Sequence, residues 1–133
     1  MRGKKAIALA FGFFCLVIFA DKTFAGNVSE TAAWQVAQNL MSSHVAIHGE
    51  WNGSASPYPI SVELVSYSGE PVAYLVGASP SGSVLVAYYD DFSPVLFYSP
   101  GSTLNTSRVD DPNALESWLI PETFNSIQKL GCL

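Results

Sequence analysis

The chain has 133 residues, of which 49% are hydrophobic, and its formal net charge is −5. This length suits one domain with a modest core. The acidity argues against nucleic-acid binding, because phosphate backbones would repel the chain. The sequence contains no dinucleotide fingerprint, phosphate-binding loop or nucleophile elbow. We therefore expect a domain that is not an enzyme and holds no cofactor.

The first 25 residues have the order of a secretory signal. An arginine and two lysines come first, residues 6–20 are apolar and uncharged, and a Thr-Phe-Ala sequence ends at Ala25. The apolar run has 15 residues, whereas a membrane-spanning helix needs about 20. The pattern favours a cleaved signal peptide over a stable membrane anchor. We predict cleavage after Ala25 and a secreted or periplasmic protein.

The predicted mature chain, residues 26–133, has two basic and ten acidic residues, so its formal charge is −8. It keeps one cysteine, Cys132, next to the C-terminus. A single cysteine forms no internal disulfide, so packing alone must hold the domain together. We expect residues 26–133 to form one monomeric domain.

A helix is predicted at the start of the mature chain. Asn27 and Glu30 have the spacing of a capping box, with Asn27 as the cap. Apolar residues and one histidine then recur at helical spacing: Ala33, Val36, Ala37, Leu40, Met41 and His44. The pattern predicts a helix over residues 29–44. Residues 49–59 are rich in glycine, proline and serine and predict a loop, anchored by Trp51 and Tyr58.

Two histidines near the end of this helix raise the question of a metal site. His44 and His48 would share a face of a continuous helix and could bind a metal together. A site needs further ligands, and only Glu50 is close in sequence. Gly49 also follows at once, so the helix need not reach His48. Two surface histidines are the favoured interpretation, and a metal site stays the alternative.

Four apolar segments predict strands over residues 60–64, 72–77, 83–89 and 95–98. In the first, Ile60, Val62 and Leu64 alternate with polar residues, which predicts one buried face. The links are short, so the strands should follow one another in an antiparallel meander. Asp90 and Asp91 lie between the third and fourth strands, where a turn is the favoured interpretation. Adjacent strand residues point to opposite faces and would make a poor catalytic pair.

The C-terminal region predicts two helices. Asp111 and Pro112 are a typical helix start. Its apolar stripe includes Leu115, Trp118 and Leu119, with Ile120 as a further candidate, and Pro121 should break or kink this helix. A second helix is predicted over residues 122–130, with Phe124, Ile127 and Leu130 on one side. The fold class is therefore α+β: a four-stranded antiparallel meander sheet flanked by an N-terminal helix and C-terminal helices in two layers.

The third and fourth strands are apolar at nearly every position, which a sheet covered on one face does not require. The excess apolar surface is either a second covered face or a binding surface. We favour a covered face, with the last helix or the loop of residues 49–59 lying over it.

The segment SGSVLVAYYDDFSPVLFYSPGS, residues 81–102, resembles the core signature of the propeptide of streptopain-type cysteine peptidases. The same domain occurs as the stand-alone streptopain inhibitor family. The family pattern is a glycine turn, an apolar strand, an aspartate turn and a Pro-Val-Leu-Gly-Tyr-Ser sequence. Gly82, residues 84–86, residues 90–91 and residues 94–99 match it, and Phe97 stands where the family commonly has glycine.

The resemblance implies a domain that docks on the catalytic domain of a papain-like cysteine peptidase and blocks its cleft. The loop between the last strand and the final helix, residues 101–113, would reach the active site. Asn113 is the nearest counterpart of a family asparagine and Asn105 the second. Tyr98 and Arg108 would border the contact, and Asp111 belongs to the same loop.

Three other interpretations stay open. The chain could be a secreted adhesion or assembly module that uses a strand edge. It could be a small-ligand domain with a pocket between helices and sheet. It could also be the remnant of a truncated peptidase precursor.

Overall fold

Two α-helices and four strands make up residues 26–130, the part of the chain that the computed structural model describes. The predicted signal peptide and Cys132 lie outside these residues. The elements in chain order are α1 (Glu30–His48), β1 (Tyr58–Tyr67), β2 (Glu70–Ser79), β3 (Ser83–Ala87), β4 (Val95–Ser99), a 3-10 turn (Thr106–Arg108) and α2 (Glu116–Lys129). Within residues 26–130 no helix is long and apolar enough to cross a membrane.

Helix α1 begins at a serine cap and ends at a glycine. The Ser29 hydroxyl accepts a hydrogen bond from the Ala32 backbone N–H at 3.1 Å. The prediction of Asn27 as the cap is wrong, because Asn27 pairs instead with Tyr89 as a short antiparallel bridge. Gly49 has a φ of 92° and donates its N–H to the Val45 carbonyl at 2.7 Å, which closes the helix.

The helix is therefore one turn longer than predicted and does reach His48. Its predicted buried stripe is confirmed, since Ala33, Ala37 and Met41 are fully buried. The following loop is held by Trp51, which is also fully buried and donates its indole N–H to the Ser81 carbonyl at 2.8 Å. Tyr58 does not hold it, because its side chain is exposed.

The sheet is the predicted antiparallel meander, with strand order β1-β2-β3-β4. Ser68 and Gly69, both with positive φ, make the tight turn between β1 and β2. Gly82, with a φ of 93°, makes the turn before β3. Asp90 and Asp91 lie in the turn between β3 and β4, as predicted.

The two helices cover opposite faces of this sheet. Successive β2 residues alternate between two cores: Tyr74 and Val76 pack with α1, whereas Ala73 and Leu75 pack in the cluster that contains Ile120 of α2. The prediction of two layers is therefore wrong, and the arrangement is helix, sheet, helix. The reason is that β2 and β3 are apolar on both faces, so each face needs a cover. The last helix supplies the second cover, as favoured.

The C-terminal region forms one helix instead of two. Helix α2 continues through Pro121, which lacks an N–H for the helical hydrogen bond. Ile120 and Ile127 lie on either side of the proline and are both buried in the same core, so their burial outweighs the missing bond. The predicted start at Asp111 and Pro112 is also wrong, because those residues form turns and α2 begins at Glu116.

Strand β1 lies at an edge of the sheet and buries less than predicted. Ile60 and Leu64 remain 57% and 48% exposed, and only Val62 of the alternating set packs against the α1 core. The register shifts after Pro59 and after Val65, and Val65 is buried on the α2 side. Bulges at an edge strand change which side chains reach the core.

Candidate functional site: the loop before the C-terminal helix

The loop between β4 and α2 is anchored in its middle by an apolar side chain. Leu104 is buried in the same cluster as Ile120 and Ile127 of α2. The segment was predicted to be a loop, and the burial of Leu104 was not predicted. The polar residues on either side of Leu104 are consequently held at fixed positions against the helix.

A buried carboxylate provides the second anchor. Glu116, in the first turn of α2, is only 5% exposed, and its Oε2 accepts the Asn105 backbone N–H at 2.8 Å. A carboxylate near a helix N-terminus also interacts favourably with the helix dipole. Sequence reasoning missed Glu116, since a glutamate is normally expected on the surface. Its only sequence signal is its place at the start of the helix.

Asn105 organises the turn that follows. Its side-chain Oδ1 accepts the Ser107 N–H at 3.0 Å and the Ser107 hydroxyl at 2.6 Å. The Asn105 carbonyl accepts the Arg108 N–H at 3.0 Å, which closes the 3-10 turn. The Asn105 side-chain oxygen thus makes its hydrogen bonds within the loop and caps the 3-10 turn.

Arg108, Asp111 and Asn113 form a second set of contacts. The Arg108 guanidinium lies 3.1 Å from the Asp111 carboxylate, and the other Asp111 oxygen accepts the Asn113 N–H at 3.0 Å. This hydrogen bond from Asn113 and the bond from Arg108 lower the pKa of Asp111 below its ordinary value of 3.8. Asp111 is therefore ionised at neutral pH, and the Asn113 side chain is left exposed.

Tyr98 does not join the other four predicted contact residues. It lies on β4 opposite Val84, on the α1 side of the sheet. Its ring stacks on Trp51 at a centroid distance of 6.0 Å and meets the edge of His44 at 5.7 Å. The structure therefore brings Asn105, Arg108, Asp111 and Asn113 into one loop and places Tyr98 elsewhere.

The two histidines lie close together beside Tyr98. The rings of His44 and His48 are 4.5 Å apart, and His44 Nδ1 lies 3.1 Å from the Glu50 carbonyl oxygen. Within residues 26–130, no group of three or more His, Cys, Asp and Glu side chains has the geometry of a metal site. The alternative of a metal site thus has two histidine side chains and, in the described part of the chain, no third ligand beside them.

Two exposed apolar side chains follow the loop. Trp118 is 62% exposed and Leu115 is also exposed, although both were predicted on the buried stripe of their helix. The buried stripe of α2 contains Ile120 and Ile127, the two members of the predicted apolar sides that are fully covered. We use the term loop surface for Arg108, Asn113, Leu115 and Trp118. The loop surface supplies a cation, an amide and two apolar side chains, and its loop residues belong to the segment that Leu104 and Glu116 anchor.

The α1 side of the sheet carries two shallow clefts. One, of about 360 Å³, is lined by Glu30, Thr31, Trp34 and Val62. The other, of about 420 Å³, lies between Leu40 and β4. Both are open to solvent.

Comparisons of the chain with protein-family models, with curated proteins and with solved structures find no match.

Proposed function

We propose that the protein is an exported inhibitor of streptopain-type cysteine peptidases that binds over the active-site cleft as a propeptide does. The observation that supports this most is the resemblance of residues 81–102, which cover β3, β4 and the turn between them. This segment leads directly into the loop of residues 101–113, the part that the resemblance assigns to the peptidase cleft. The function needs a rigid surface and no chemistry.

The bracing of the loop suits an inhibitor that must resist cleavage. Peptidases act on extended peptides, whereas the Asn105 to Asn113 stretch is folded into consecutive hydrogen-bonded turns. Burial of Leu104 and the hydrogen bond from the Asn105 N–H to Glu116 hold the start of that stretch against α2. A pre-ordered loop also loses little conformational entropy on binding.

The loop surface supplies the contacts. Exposed tryptophan and arginine side chains are the residue types that contribute most to binding energy at interfaces. Trp118 and Arg108 are both exposed on this surface, so they should account for most of the affinity. Asn113 should fill the polar subsite that the resemblance assigns to it. The predicted contact at Tyr98 would require a second, separate area of contact.

The function is tested by titrating the purified exported protein into a mature streptopain-type peptidase with a fluorogenic peptide substrate. Papain is titrated in parallel. We expect activity to fall to zero near a one-to-one ratio with the streptopain-type enzyme and to persist with papain. Full activity of both enzymes at a tenfold excess of folded protein would overturn the proposal.

The surface is mapped with single variants. Trp118→Ala and Arg108→Ala should each weaken inhibition by about tenfold or more, because each removes an anchor worth over about 1.4 kcal/mol. Trp34→Ala is the matched control, since Trp34 is also exposed but lies on α1. If Trp34→Ala and Trp118→Ala weakened inhibition equally, the contact with the peptidase would not be specific to the loop surface.

A second candidate function, a secreted binding module, is favoured by the edge strand β1. Ile60 and Leu64 are exposed there, on a strand whose outer backbone groups can pair with another strand. Trp34 lines a cleft with Val62 of the same strand. Ile60→Lys would disrupt that pairing and leave the loop surface intact. A non-peptidase partner that binds the parent chain but not Ile60→Lys would favour this candidate.

A further inference from the structure

The first described residues form a short antiparallel bridge with residues 88–90, just after β3. The Val28 N–H donates to the Tyr88 carbonyl at 2.7 Å, and the Asp90 N–H donates to the Gly26 carbonyl at 3.0 Å. Asn27 and Tyr89 are the bridged pair between them. Residues 26–28 are therefore fixed in register, and the register determines where Gly26 lies.

A buried phenol strengthens this pairing. The Tyr74 hydroxyl donates to the Val28 carbonyl at 2.7 Å. Burial, with smaller effects from Tyr88 and Glu30, raises the pKa of Tyr74 above its ordinary value of 10.0. The hydroxyl therefore keeps its proton at neutral pH and remains a donor.

The nitrogen of Gly26 points at a carboxylate. It donates to Asp90 Oδ1 at 3.0 Å, while Asp90 returns its own N–H to Gly26. A Cβ atom at position 26 would lie 2.7 Å from Asp90 Oδ2, so a larger residue would displace that carboxylate from the Gly26 nitrogen. Glycine at this position thus lets the carboxylate lie against the nitrogen.

We propose that Gly26 is the first residue of the mature protein and that Asp90 is the binding site for its ammonium group. The inference rests on export and on the predicted cleavage after Ala25, and it is independent of peptidase inhibition. A signal peptidase would add one water across the Ala25–Gly26 bond. Ala25 leaves as a carboxylate, and the new amino group of Gly26 takes up a proton and pairs with Asp90.

The surrounding charges favour such a pair. Two further acidic residues add negative charge nearby in sequence. Asp91 directly follows Asp90, and Glu30 lies four residues after Gly26. Within the described residues the basic side chains are Arg108, already paired with Asp111, and Lys129 at the end of α2. Cleavage would supply Asp90 with a cation at Gly26 itself.

The mature chain offers a clean test because it contains two amines, the Gly26 amino group and Lys129. The full chain is expressed with its leader, the exported product is purified, and its start is read from the intact mass. Competitive acetylation across pH then gives the pKa of each amine. Lys129 serves as the internal reference.

We expect a start at Gly26 and an amino-group pKa raised about 0.5 above the ordinary range of about 7.7–8.0. Asp90→Asn should abolish the increase, whereas Asp91→Asn, one position away, should largely retain it. In urea the parent protein itself should return to the ordinary pKa, so the test stands even if a variant does not fold. A start elsewhere, or an ordinary pKa in the folded parent protein, would overturn the proposal.

Discussion

At the scale of single residues, the least expected feature is the carboxylate of Glu116. It is buried, it belongs to the first turn of α2, and it accepts a backbone N–H from the loop that is proposed to bind a peptidase. Its position couples the loop to the helix. Removing it should affect both the stability of the domain and the order of the loop.

Glu116→Ala should lower the free energy of unfolding by about 1–3 kcal/mol, because the Asn105 N–H loses its acceptor in a partly buried position. The measurement is urea unfolding followed by tryptophan fluorescence. Glu122→Ala is the matched control, since Glu122 lies on the same helix and is exposed. Equal effects of the two variants would show that the Glu116 contact contributes nothing.

Asp111 makes a prediction about pH. Its pKa is lowered by the Asn113 N–H first and by Arg108 second. The ionised form therefore stabilises the loop above the ordinary value of 3.8, and this stabilisation is lost as the pH falls through the lowered pKa.

Carboxyl NMR should give Asp111 a titration midpoint below 3.8. Arg108→Ala should raise that midpoint only in part, because the Asn113 hydrogen bond remains. A midpoint at or above the ordinary value in the parent protein would contradict the loop geometry.

At the scale of elements, the turns that set the meander differ in how much space their glycines leave. Gly82 and Gly69 both have positive φ, but a Cβ at Gly82 would meet the Ser99 carbonyl oxygen and lie 2.6 Å from the Pro100 oxygen. A Cβ at Gly69 would meet no atom within 4 Å. Gly82 is therefore required both by its positive φ and by the close approach of residues 99–100, whereas Gly69 is required by its positive φ alone.

Gly69→Ala should cost about 1 kcal/mol of unfolding free energy, the usual strain of alanine at positive φ. Gly82→Ala should cost at least about 3 kcal/mol, because the turn must also move away from β4. Thermal unfolding of the two variants side by side measures the difference. Similar midpoints would mean that the approach of residues 99–100 to Gly82 is not tight.

The placement of α2 gives another test at this scale. Ile127→Ala should lower the free energy of unfolding by about 2–5 kcal/mol, because Ile127 is fully buried against the sheet. Trp118→Ala on the same helix should change it by less than about 0.5 kcal/mol, since the indole is mostly exposed. The reverse order in denaturant unfolding would mean that the other face of α2 meets the sheet.

Periodicity explains why some of these elements could be predicted. The stripe of α1 and the short links between strands identify a helix and a meander from the sequence alone. Ile127 was correctly predicted on the apolar side of α2, whereas Leu115 and Trp118 were wrongly predicted to be buried. Trp118 and Ile120 are both apolar, and only the position of the sheet decides which one is covered. Pro121 suggested a break because burial of Ile120 and Ile127 is not visible in local sequence.

The candidate site was predicted in part for a similar reason. Asn105, Arg108, Asp111 and Asn113 are close in sequence, so any fold keeps them near one another. The position of Tyr98 depends on which face of β4 it occupies, and the role of Glu116 depends on a contact across the loop. Both are tertiary properties that propensity and spacing do not contain.

At the scale of the whole molecule, the sheet separates two faces to which different roles are proposed. The α1 face carries the aromatic group of His44, Trp51 and Tyr98 and the docked N-terminal segment. The α2 face holds Leu104, which anchors the loop of residues 101–113, and Trp118 is an exposed residue of α2. The proposed inhibition belongs to the second face, and the proposed processing of the N-terminus concerns the first, so each can fail without the other.

The central claim is that the loop surface occupies the peptidase cleft. The most direct measurement is the rate at which iodoacetamide alkylates the catalytic cysteine of a streptopain-type peptidase, followed by mass, with and without an equimolar amount of the purified protein. We predict that the protein protects the cysteine and that Trp118→Ala restores its alkylation. An unchanged rate with the parent protein would contradict occupation of the cleft, whatever else the domain binds.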